Sequence, residues 1–282
     1  MFINNSEFQT SDNMALGYNQ PRPTAENYQD FMTKLISGLK KLGDDGLSLM
    51  VYGSYIRGDF TAGRSDIDSA LTFPHDVVIP KEFMHEVSVV LYEALRGNNV
   101  PFQVCPLDVT IMRDGRFNSF TDDFYDYFQS EGQTLVGPDY RSEIVCLKSK
   151  TGEESTLSHN LRKTRIALLF AEHDRQEDYE RFLERFNGTL NASSRGSKQI
   201  LYLVDGELRK NRFSALQELG RHFPAVNVEP LERVRDLYHH PEKLDRLYRN
   251  PDEAMKVWNS AATFFEEVIR EYVHKFPLQE RR

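Results

Sequence analysis

The sequence is poor in cysteine and in long apolar runs, and its positive charges are outnumbered by negative ones. Only two cysteines, Cys105 and Cys146, occur among 282 residues. They lie too far apart for a metal or redox spacing, so a reducing, cytoplasmic setting is expected. No stretch reaches the roughly 20 consecutive apolar residues of a membrane-spanning helix, so no membrane partner is expected. Met1 to Pro23 is polar and lacks an apolar core flanked by basic residues. It reads as a flexible tail over 1–23 rather than a signal peptide, and the glycosylation pattern Asn187-Gly188-Thr189 is then idle. The formal net charge is −8 and the pI is near 5.6. That acidity argues against a general nucleic-acid binder; it suits a cationic small molecule, or serves solubility alone. There is no internal repeat and no low-complexity segment beyond the tail.

What is present is an ordinary globular composition, 39% hydrophobic and 28% charged, long enough for two compact domains. The spacing of Tyr28, Phe31, Met32, Leu35, Ile36 and Leu39 predicts a helix over 25–42. Short apolar strands are predicted over 47–52 and 67–73, a helix over 81–95 and a third strand over 103–112. An aromatic-rich helix is predicted over 119–131. After Gly152 the pattern is helical almost throughout: 158–186, 197–204, 212–221 and 252–276, with a polar loop over 190–196. The fold class expected is an α/β domain with a small mixed sheet, followed by an all-α helical bundle.

The stretch richest in chemistry is Val51-Tyr52-Gly53-Ser54-Tyr55-Ile56-Arg57-Gly58, followed by Ser65-Asp66-Ile67-Asp68. Successive strand side chains point to opposite faces, so Asp66 and Asp68 share one. If the strand carrying Asp108 is their neighbour, all three carboxylates converge. Three carboxylates in one patch repel one another unless a cation is present. Oxygen ligands of this kind suit Mg²⁺, which bridges substrate phosphates, and two such ions can stabilise both oxygens of an in-line displacement. Gly53 lets the backbone approach a phosphate, Ser54 and nearby N–H groups can hold it, and Arg57 and Ser65 can add bonds to the same oxygens. A Walker A loop is excluded because Asp59 stands where its lysine is needed. The structural alternatives are a solvated loop for Asp66 and Asp68, and for Asp108 a strand-end aspartate capping the next turn. Tyr125, Tyr127 and Phe128 either stack on an adenine or dock their helix on the sheet.

These residues resemble the signature of the DNA polymerase β-like nucleotidyltransferase superfamily: an apolar strand, Gly-Ser, an Asp-x-Asp strand, then a lone carboxylate on a later strand. Within it the chain most resembles the streptomycin/spectinomycin adenylyltransferases. The likeness rests on Tyr52-Gly53-Ser54 through Asp68, on Leu107-Asp108-Val109-Thr110-Ile111, and on Leu135-Val136-Gly137-Pro138. A thinner match runs from Lys198 to Lys210, where that family places basic residues on the triphosphate; Lys198 and Lys210 would take those roles, with Arg209 as a substitute. The resemblance implies a nucleotidyltransferase domain over 24–145, a helical domain over 146–282 and a cleft between them. It implies ATP as donor, with two Mg²⁺ ions on Asp66, Asp68 and Asp108, and Asp108 as the candidate base.

The reaction so implied moves AMP from ATP to a hydroxyl of a small cationic acceptor of the aminoglycoside type, releasing pyrophosphate, in a role such as antibiotic resistance. Glu172, Asp174, Asp178 and Glu184 are candidate acceptor contacts; their alternative is the solvated face of an amphipathic helix. Two other readings stand beside this one: the same chemistry on a protein or a tRNA end, as in toxin–antitoxin nucleotidyltransferases, and a non-catalytic nucleotide-binding scaffold. The scaffold predicts loss of a carboxylate or of the Gly-Ser turn, and all are present.

Overall fold

The computed structural model describes residues 21–43, 46–115, 122–146 and 150–277, without the side chains of 122–124, 150 and 151. They divide between two compact units that meet in sequence at Ser149 and Lys150. The tail expected over 1–23 lies outside the described residues except for 21–23, where Arg22 donates to the Gly63 carbonyl at 2.8 Å.

The first unit runs α1 (Ala25–Lys41), β1 (Ser48–Tyr52), α2 (Ser54–Arg57), β2 (Ile67–Phe73), α3 (Lys81–Leu95), β3 (Phe102–Asp108), α4 (Val109–Asp114), α5 (Asp122–Glu131) and β4 (Gln133–Val136). The sheet order is β3-β2-β1-β4, with β1 antiparallel to β2 and β4, and β2 parallel to β3. The period of two in β1 and β2 divides their apolar residues between two faces. Leu49, Val51, Ile67, Leu71 and Phe73 pack with the buried stripe of α1 (Tyr28, Phe31, Leu35, Leu39) and with Val87 and Ala94 of α3. Met50, Tyr52 and Ala70 pack on the other face with Leu107, Met112 of α4, Phe128 of α5 and Ile144. The expected α/β architecture with a small mixed sheet is the one observed. Two details differ. The third strand stops at Asp108, and Val109–Asp114 turns into a helix capped by that residue. The edge strand β4, only four residues long, was too short to stand out in the sequence.

The second unit is helical among its described residues: α6 (Lys150–Leu169), α7 (Ala171–Glu177), α8 (Tyr179–Asp205), α9 (Ala215–His222), α10 (Glu229–His239), α11 (Pro241–Tyr248) and α12 (Pro251–Lys275). Its core runs along α8 and α12. Phe182 and Phe186 pack against Trp258 at ring-centroid distances of 5.3 and 6.0 Å, and the indole Nε1 donates to Thr189 Oγ1 at 2.8 Å. The helix expected over 158–186 is in fact α6, α7 and the start of α8, broken at Phe170 and Asp178. The polar loop expected over 190–196 is the middle of α8. Its small residues are packing devices: Ser193, Ser194, Gly196 and Ser197 are buried, and a Cβ on Gly196 would stand 2.2 Å from the Phe265 ring. The Ser193, Ser194 and Ser197 hydroxyls donate to carbonyls one turn back, so the helix satisfies its own polar groups. No helix among the described residues is long and apolar enough to cross a membrane.

Candidate active site

The site grows from the turn that joins β1 to α2. Gly53 has φ +78°, ψ −156°, a conformation open to glycine alone. A Cβ there would also stand 2.5 Å from Asp68 Oδ2. The turn therefore needs glycine twice, once for its backbone and once because the Asp68 carboxylate lies against it. Register explains the proximity: Tyr52, the residue before Gly53, pairs with Asp68 across β1 and β2. Ile67 is fully buried and its N–H donates to the Pro101 carbonyl at 2.9 Å. Asp66 and Asp68 flank it, each half-buried, and strand alternation puts both on the face opposite Ile67. Ser54 opens α2 directly after the turn and is also half-buried.

The third carboxylate does not join them. In the parallel β2–β3 ladder Asp68 pairs with Gln103, and Asp108 pairs with Phe73. Asp108 is thus five residues further along the strand pair than Asp68, about 17 Å at ~3.3 Å per residue. The odd offset also turns it to the opposite face of the sheet. Its carboxylate is buried as the N-cap of α4, where Oδ1 accepts from the Ile111 N–H at 2.8 Å. The alternative of a strand-end capping aspartate is the arrangement observed, and Asp108 is corrected from metal ligand and candidate base to helix cap. The residue that stands beside Asp68 is a neutral amide, Gln103. Among the described residues no group of three His, Cys, Asp or Glu side chains is placed to hold a metal ion. Among the described residues, the third acid that the expectation of two ions required does not stand beside Asp66 and Asp68.

Two other expected phosphate contacts are occupied within the protein. Arg57 Nη1 donates to Glu131 Oε1 at 2.8 Å and Nε stands 3.2 Å from Asp59 Oδ1. Glu131 is buried, and its Oε1 also accepts from the Gly53 N–H at 3.2 Å. Glu131, which sequence reasoning passed over as the end of an aromatic-rich helix, thus ties α5 to the Gly-Ser turn through Arg57. Ser65 is buried; its hydroxyl accepts from the Thr61 N–H at 2.8 Å and its carbonyl accepts from Tyr28 Oη at 2.6 Å. Arg57 and Ser65, expected to touch substrate, support the turn and the loop leading to Asp66. Phe128 is buried and meets the Tyr52 ring edge-on at 5.7 Å, so it docks α5 on the sheet.

In the helical unit four of the expected residues, Asp178, Asp174, Glu172 and Arg209, have local partners. Asp178 is the N-cap of α8, accepting from the Arg181 N–H at 3.1 Å. Asp174 is buried in an ion pair with Arg185. Glu172 is exposed and accepts from Gln176 one turn on at 3.0 Å. Glu184 is half-buried on α8. Arg209 is not a substitute for Lys210: it is buried, donating to Asp205 and to Glu218 at 2.9 Å, and those hydrogen bonds raise its pKa above the ordinary arginine value. Lys198 is half-buried on α8 and Lys210 is exposed just after it.

A strand, a Gly-Ser turn and an Asp-x-Asp strand now stand in one place. Residues 32–130 match the nucleotidyltransferase domain family. The match takes in about a third of the chain, including Gly53, Ser54, Asp66, Asp68 and Gln103, and stops just before Glu131. It identifies the α/β unit as a nucleotidyltransferase enzyme domain. No curated protein matches the sequence. Among solved structures the chain is similar to spectinomycin adenyltransferase AAD(9) from Enterococcus faecialis, solved with ATP and spectinomycin. That likeness has a TM-score of 0.48 and 10% identity, over 84% of this chain and 99% of that one.

Proposed function

We propose that this nucleotidyltransferase moves AMP from ATP to a hydroxyl of a small cationic acceptor of the streptomycin or spectinomycin kind. The observation that carries the transfer step is the Asp68 carboxylate lying against the Gly53 turn, with Asp66 on the same strand face. A divalent cation on that pair would neutralise phosphate charge. The Ser54 hydroxyl and the N–H groups of the turn would orient the triphosphate. The acceptor hydroxyl gives its proton to solvent, its oxygen forms a bond to the α-phosphorus, the bond to the oxygen bridging to the β-phosphate breaks, and pyrophosphate leaves. Most of the acceleration would come from positioning and charge stabilisation. Lys198 and Lys210 are proposed as further triphosphate contacts, and Glu172 and Glu184 as acceptor contacts. The net charge of −8 supports a cationic acceptor.

The test is pyrophosphate release with ATP and Mg²⁺ across a panel of aminoglycosides and spectinomycin, with Asp66→Ala as control. Drug-dependent release that vanishes in the variant is the expected result. Release that no drug stimulates, in a protein that still binds ATP, would contradict the antibiotic acceptor and direct the search to protein or tRNA ends.

A further inference from the structure

We propose that this site holds one divalent cation rather than two, and that Gln103 sets the count. The inference rests on the nucleotidyl-transfer reading and concerns its metal chemistry. A second ion held by the protein itself, and not by the nucleotide phosphates alone, needs another anionic side chain within reach of Asp68. Strand β1 offers Tyr52 at the paired position, and β3 offers Gln103. An amide carbonyl carries no charge and is a weaker ligand for a hard cation than a carboxylate.

The other acids near the sheet are excluded one by one. Asp108 is on the opposite face and at the far end, capping α4. Glu131 is buried, with Oε1 engaged by Arg57 and the Gly53 N–H and Oε2 without a hydrogen-bond partner among the described residues, and its charge is balanced by Arg57. Two residues along β3 on the face of Gln103 is Cys105, beside Ala70. Sulfur is a soft ligand, poorly matched to a hard cation such as Mg²⁺ or Mn²⁺. Two carboxylates balance one doubly charged ion. A pair of ions would leave the protein side of the site with an excess of two positive charges, which only the nucleotide could offset.

The experiment uses the full chain saturated with a non-hydrolysable ATP analogue and titrated with Mn²⁺, read by calorimetry and electron paramagnetic resonance. Two metal ions in such a site stand roughly 3.5–4 Å apart, close enough for their spins to couple. The wild type is expected to bind one Mn²⁺ and show an uncoupled spectrum, and Gln103→Glu to bind two with a coupled spectrum. A coupled pair in the wild type would overturn the inference and leave nucleotidyl transfer standing. Retention of the analogue without any dependence on Mn²⁺ would overturn both. A folded Gln103→Glu protein that still holds one ion would overturn the assignment of the count to residue 103. Should that variant fail to fold, the wild-type spectrum decides alone, with Gln103→Ala expected to keep the single uncoupled ion.

Discussion

The two units use their acidic residues differently. In the helical unit Asp174 is paired with Arg185, Asp205 and Glu218 hold Arg209, Asp178 caps a helix, and Glu153 accepts from Gln199. These groups fix helices to one another and end them. In the α/β unit Asp66 and Asp68 stand half-buried at the end of a strand whose other residues are buried, next to a turn that only glycine can make. The acids of the first kind hold the fold together, and we propose that Asp66 and Asp68, at a strand end beside the Gly53 turn, serve a ligand. Glu131 and Asp108 show that the division does not follow the unit boundary, because both lie in the α/β unit and both serve the fold.

The sharpest challenge to this division is Glu131, which touches the Gly-Ser turn yet is assigned a structural role. Arg57→Ala would leave its carboxylate buried without a counter-charge, an expected loss of about 3–5 kcal/mol of stability, measured by denaturant unfolding. Arg57→Met with Glu131→Gln should recover most of that loss; a single variant of unchanged stability and abolished turnover would instead make Arg57 a substrate contact.

Asp68→Ala is expected to behave in the opposite way. Its turnover should fall by ~100- to 1,000-fold, the scale of losing one preorganised charge-stabilising group, while the unfolding midpoint stays level or rises as carboxylate repulsion is relieved. Gly196→Ala probes the helical unit alone. Forcing a Cβ against Phe265 should cost about 1–3 kcal/mol in thermal unfolding, whereas an unchanged midpoint would mean that α8 and α12 are less closely packed than 2.2 Å implies.

The smallest effect is electrostatic. The hydrogen bond from Arg209 holds the Asp205 carboxyl below its usual range. Because the folded value is depressed, the stabilisation is complete above the unfolded pKa, near 3.9, and is lost as pH falls through the folded value. Asp205 is partly exposed, so the difference should be less than ~1 kcal/mol. An Asp205→Asn protein should show a correspondingly shallower loss of stability as pH falls below about 4, followed by unfolding midpoints along that descent.

Most of the α/β unit was legible because its signals are local. Strand 67–73 and helix 81–95 follow from period and from the Pro and Gly residues around them, and the Gly-Ser turn and Asp-x-Asp pair are contiguous in sequence. The Asp108 error arose from a quantity that no single segment contains. The apolar run 103–112 shows a strand but not its register against β2, and a shift in pairing decides whether Gln103 or Asp108 stands beside Asp68. Glu131 was missed for the same reason: its partners, Gly53 and Arg57, are more than seventy residues away. The middle of α8 was misread because Asn, Ser and Gly are turn formers in isolation, and only the Phe265 ring lying against Gly196 explains why small residues are needed in a helix.

The central claim is that Asp68 serves chemistry and Asp108 serves the fold. The most direct test compares pyrophosphate release by Asp68→Asn and Asp108→Asn, since asparagine removes the charge but remains a good N-cap. Turnover is expected to collapse in Asp68→Asn and to stay within a few-fold of wild type in Asp108→Asn. Equal collapse in both variants, with both still folded, would place Asp108 at the reacting atoms and contradict the division drawn from the β2–β3 register.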